Sequence, residues 1–135
     1  ELLRALTAGL QFTQDSRLGR PLGTFDRPRP MRSEAHRSGR SSRHVMLSLL
    51  ALRDLSSRLA ASDNALSAKL EHRFEIAIAK LAKLNDPVFS GVADPQSRLR
   101  IEVVSQAIGN IRSTIQTKLG PTLGVAAGFN SLDGD

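Results

Sequence analysis

Apolar residues in this chain recur at helical intervals in four stretches, and the gaps between them are rich in Gly, Pro, Ser and Asp. Leu3, Leu6 and Leu10 step by three and four, which predicts an amphipathic helix from residue 1 to about residue 17 that stops near Gly19 and Pro21. A second helix is expected to start between Ser33 and Ser41 and to run to about Ala61. Val45, Leu49, Leu52, Leu55 and Leu59 form its stripe, and Leu47 and Leu50 widen the apolar face, so its beginning should be buried on more than one side. The third stretch is the clearest: Leu66, Leu70, Phe74, Ala77, Leu81 and Leu84 lie on one face between a Ser62 or Asp63 cap and the stop at Asn85-Asp86-Pro87. In the fourth, Asp94-Pro95 supplies the cap and first turn, and Ile101, Val104, Ile108, Ile111, Ile115 and Leu119 face inward. Gly120-Pro121 is expected to end it. Gly109 costs this helix about 1 kcal/mol relative to Ala, which marks a close approach by a neighbour.

Residues 18–40 form a long Arg/Pro-rich connection carrying Gly19, Pro21, Gly23, Pro28 and Pro30. Its prolines deny it regular hydrogen bonding, and connections of this length are often functional. Residues 120–135 read as a Gly-rich tail in which Val125, Ala126, Ala127 and Phe129 need something to pack on. The other connections are short, so neighbouring helices should run antiparallel. The expected architecture is all-α: one helical domain over residues 1–135, built as an up-and-down four-helix bundle or as part of a larger helical array.

Composition supports that class. The chain has 135 residues, 40% hydrophobic and 24% charged, with no Trp, no Tyr and five Phe, so an aliphatic core favours packed helices over a sandwich of strands. The absence of Cys excludes a disulfide framework, a thiolate zinc site and a Cys nucleophile. No stretch has the roughly 18 apolar residues of a transmembrane helix, and no signal peptide opens the chain. Glu1 leads straight into the first leucine stripe without an initiating Met or a cap, which reads as a cut inside a longer protein. The net charge of +6 is localised: residues 17–44 hold eight arginines against Asp26 and Glu34, while the remainder of the chain balances.

That arginine segment is the main candidate for chemistry. Guanidinium groups bind carboxylates and phosphates through paired hydrogen bonds, and serine hydroxyls can complete an anion's shell. A helix starting near Ser41 would add its first amides to the same region. A solvated basic loop, or arginines that pair with carboxylates of another half, would account for the same residues. Nucleic acid is not the expected partner, because no aromatic residue lies between Phe25 and Phe74 to stack on a base. His72 and Glu75 have the three-residue spacing of a shared helix face, but chance explains such a pair and no H-E-x-x-H accompanies it. His36 and His44 sit among arginines that disfavour a metal ion. No G-x-S-x-G elbow and no phosphate-binding glycine loop is present, and Asp133-Gly134-Asp135 is only a fragment of a calcium loop.

Two stretches resemble one family. Residues 32–41, Arg-Ser-Glu-Ala-His-Arg-Ser-Gly-Arg-Ser leading into a leucine-rich helix, and residues 123–135, Leu-Gly-Val-Ala-Ala-Gly-Phe-Asn-Ser-Leu-Asp-Gly-Asp, look like the C-terminal half of imelysin-like proteins. The resemblance implies one half of a two-domain helical fold whose bundle-like halves face each other across a cleft. It also implies a periplasmic location, often with an N-terminal lipid anchor as the only tie to a membrane, and a link to iron uptake. By resemblance, Arg32, Ser33, Arg37, Ser38, Arg40 and Ser41 line the cleft, with Arg37 and Arg40 as partners of an anion or carboxylate. The expected partners are the N-terminal half of the same protein and a small anionic ligand or metal.

No catalytic residue and no metal ligand is assigned to this chain. The G-x-H-x-x-E motif of the family belongs to the other half, and here Leu70 takes the glycine position ahead of His72 and Glu75. Iron or another divalent metal would be bound only together with that half. Two alternatives stand beside this binding-module reading: the C-terminal half of an imelysin-type metallopeptidase, and a basic helical module for polyanions.

Overall fold

The computed structural model describes residues 1–124, over which the four apolar stripes become four helices and no strand forms. Helix α1 covers residues 2–22, α2 covers Ser41–Leu59, α3 covers Asn64–Leu84 and α4 covers residues 95–122. Each packs on the next, and α1 closes the bundle against α4. The core is made by the residues that set the periodicity. Leu3, Leu6 and Leu10 of α1, Val45 and Leu49 of α2, Leu66, Leu70, Phe74, Ala77 and Leu81 of α3, and all six stripe residues of α4 are buried. Burying one such large side chain contributes roughly 1.5–3 kcal/mol, which is why the stripes decide the fold.

The caps of α3 and α4 are the ones expected. The Asp63 carboxylate accepts the Leu66 amide at 3.0 Å, and the Asp94 carboxylate accepts the Ser97 amide at 3.0 Å with Pro95 in the first turn. The hydrogen bonds from Ser97, its amide most of all, hold the Asp94 carboxyl below the usual carboxylate range.

Three expectations are corrected. First, α1 does not stop at Gly19-Pro21; it widens into a π segment, Thr13–Leu18, and returns to α geometry over Gly19–Leu22 before Gly23, at φ +54°, ends it. The irregular connection is therefore residues 23–40. Second, α4 does not end at Gly120-Pro121: a second π segment, Ile115–Leu119, leads into a last turn, Gly120–Thr122. In a regular helix a proline ring collides with the carbonyl four residues earlier, and the wider π turn shifts those carbonyls out of step. Each widening also begins at or directly after a threonine whose hydroxyl bonds back to the carbonyl four residues earlier, Thr13 to Gly9 and Thr114 to Asn110, which loosens the helix there. Third, Leu47 and Leu50 are exposed, so the start of α2 is buried on one side only. Of the expected tail, Leu123 and Gly124 are turn residues and Gly124 has φ +82°. Residues 125–135, with most of the tail motif, lie outside the described residues.

Two polar ties fix α1 against α4. Gln14, inside the first π segment, donates from Nε2 to the Ser105 carbonyl at 2.8 Å and accepts from Arg112 Nη1 at 2.7 Å. It occupies the space a side chain at Gly109 would need, since a Cβ there would lie 2.9 Å from Gln14 Nε2. Arg98 is 6% exposed; it donates to the Leu22 carbonyl at 2.6 Å and to Glu102 at 3.0 Å.

Candidate functional site

The arginine-serine segment caps the end of the bundle where α1 and α3 finish and α2 and α4 begin. A short 3-10 turn, Pro30–Arg32, leads into it, and two residues with positive φ, Ala35 at +56° and Gly39 at +70°, fold residues 34–40 back on themselves. For Ala, left-handed geometry costs roughly 1–2 kcal/mol, so the surrounding bonds must hold it. They do so largely through serine hydroxyls. Ser33, buried, donates toward the carbonyls of Val88 and Pro30, each at 3.1 Å. Ser38 donates to the Ala35 carbonyl at 3.1 Å, and Ser41, buried at the first position of α2, to the Glu34 carbonyl at 2.5 Å. The Ser42 amide donates to the Pro87 carbonyl at 2.9 Å, so an α2 amide that could have faced an anion is already taken by the protein.

The six residues expected to line the site therefore divide. Ser33, Ser38 and Ser41 are structural pins of the loop. Arg32, Arg37 and Arg40 are exposed, and no side-chain hydrogen bond or ion pair engages them among the described residues. The loop is held, and its guanidinium groups are open.

Beside them lies a cluster that the sequence did not single out. Glu34 Oε1 accepts from His44 Nδ1 at 2.6 Å and pairs with Arg17 Nε at 3.3 Å. Arg17 also donates from Nη1 to Ser48 and lies 5.0 Å from the centre of the Phe12 ring. The hydrogen bond from His44 most of all keeps the Glu34 carboxyl below its usual range; burial opposes it, and the charges of Arg17 and His44 add to the lowering. A shallow concavity of about 410 Å³ opens over this cluster, with Leu47 and Ala51 completing its wall. The nearest charge to His44 is thus a carboxylate, although arginines surround it in sequence. Glu34 and Asp26 are the only carboxylates in the arginine segment, and that scarcity was the available signal for Glu34; nothing local in the sequence pairs it with Arg17.

Metal chemistry finds little purchase on the described residues. His72 and Glu75 are both exposed on α3, and no three of His, Asp and Glu converge anywhere among the described residues. An iron ion does not fit this donor set by itself. Nor is any helix among the described residues long and apolar enough to cross a membrane.

The family model described as Imelysin, a peptidase family, matches residues 1–115, which include the arginine-serine stretch and stop short of the tail. No curated protein and no solved structure matches.

Proposed function

The chain belongs to the imelysin family, and from that premise we propose that it is the C-terminal, ligand-binding half of an imelysin-like periplasmic protein tied to iron uptake. Arg32, Arg37 and Arg40 face a cleft shared with an N-terminal half and receive a small anion there. One observation carries this reading: the loop commits its Ser33, Ser38 and Ser41 hydroxyls to backbone carbonyls and leaves those three guanidinium groups open. Arginine stays protonated across the physiological range, so its role is to bind and orient. Because the described residues supply no metal cage, iron enters this reading as cargo, carried by an anionic carboxylate chelate.

Calorimetric titration of the 135-residue chain with citrate and with ferric citrate tests the proposal. Wild type should bind, and the Arg37→Ala/Arg40→Ala variant should bind at least about tenfold more weakly, since each charge-assisted hydrogen bond contributes roughly 1.5–3 kcal/mol. The melting temperature should not move, because both side chains are exposed. Equal affinity in the two proteins would overturn the assignment of these arginines.

A further inference from the structure

A second concave surface shares no lining residue with the arginine loop. The last turns of α3 and the first turns of α4 enclose a groove of about 400 Å³ lined by Lys80, Lys83, Leu84, Leu99, Arg100 and Val103. That volume is at the small end of ligand pockets, enough for one medium-length chain. Leu99 and Val103, four residues apart, lie outside the core stripe of α4, and Leu99 is 61% exposed, among the most exposed large apolar side chains of the molecule. Leu99 therefore gives the groove apolar surface that folding has not used, beside the half-buried Leu84 and Val103.

The rim is cationic, and no carboxylate is in contact with it among the described residues. Lys80, Lys83 and Arg100 form no ion pair among the described residues, and no carboxylate lines the groove. The acidic residues nearest in sequence are engaged elsewhere. Asp86 accepts from the Ser90 and Gly91 amides, Glu102 from Arg98, and Asp94, whose carboxyl feels Arg100, from the Ser97 amide. Three cations around an apolar floor complement a molecule with one negative head and one hydrocarbon tail.

We infer that this groove binds a single-chain amphipathic anion, with its carboxylate or phosphate head between Lys80, Lys83 and Arg100 and its chain along Leu84, Leu99 and Val103. The groove contains none of Arg32, Arg37 and Arg40, so variants of one site leave the residues of the other in place and the two tests are independent.

The test is an NMR titration of the chain with decanoate, decyl phosphate and decyltrimethylammonium, each below its micelle concentration, following the methyl signals of Leu84, Leu99 and Val103. The two anions should shift these methyls, and the tighter of the two identifies the head group as carboxylate or phosphate. Lys80→Gln/Arg100→Gln should weaken anion binding about tenfold or more, and Leu99→Ser should weaken it several-fold. All three positions are exposed, so both variants should keep the wild-type melting temperature. Binding of the cation as tightly as the anions, or unchanged anion affinity in the Lys80→Gln/Arg100→Gln variant, would overturn the inference.

Discussion

Glu34 shows how one side chain changes role once its neighbours are known. Its carboxyl is held below the ordinary value of 4.5, so the stability it contributes is present above that value and is lost as pH falls through the lowered one. The melting temperatures of wild type and Glu34→Gln should therefore differ near neutral pH and converge as pH falls below about 4.5, with the difference kept small by the solvent that reaches the pair. Gly109 makes the same point through space. Alanine there improves helix propensity, yet its Cβ would press on Gln14, which two hydrogen bonds hold in place. Gly109→Ala should be net destabilising in urea unfolding, and in a Gln14→Ala background the same substitution should become neutral or stabilising.

At the scale of the element, apolar spacing was enough to identify the four long helices of the described residues, because each stripe packs in the interior it predicted. Asp63 and Asp94 were readable for the same local reason: a cap bonds an amide three residues away. Asp63→Ala should cost about 1 kcal/mol in denaturant unfolding, and Asp63→Ser much less. The ends of α1 and α4 were not readable. Pro21 and Pro121 are stop signals in an unbroken α-helix, and only the π segments upstream let the chain pass them. The candidate site was legible in part. The concentration of arginines is visible in the sequence, but which of them stay open is not, since Arg17 of the same segment pairs with Glu34, and the pinning by Ser33 and Ser41 depends on carbonyls at Val88 and Glu34, one of them 55 residues away. Leu47 and Leu50 misled because an apolar side chain can face outward wherever no element covers it.

For the whole molecule, the uneven charge of the sequence becomes a polarity of the fold. The contacts between Ser33 and Val88, Ser42 and Pro87, and Arg98 and Leu22 show that the arginine segment, the end of α3 and the start of α4 share one end of the bundle. The arginines of residues 20–43 therefore act as a concentrated field at that end. Citrate binding by the chain should weaken several-fold when salt is raised from about 20 to about 200 mM, as exposed charges are screened over about 10 Å. The Arg37→Ala/Arg40→Ala variant should elute earlier than wild type from a cation exchanger.

The tie from Arg98 to the Leu22 carbonyl spans 76 residues of chain, and that from Gln14 to Ser105 spans 91. Contacts that close such long loops form slowly, whereas α2 and α3 are separated by only a few residues and can pair early. The docking of α1 onto α4 should then be the last event of folding and the first to be undone. Arg98→Met should accordingly speed unfolding while leaving the folding rate nearly unchanged, and the amide hydrogens of α1 should exchange with solvent before those of α3.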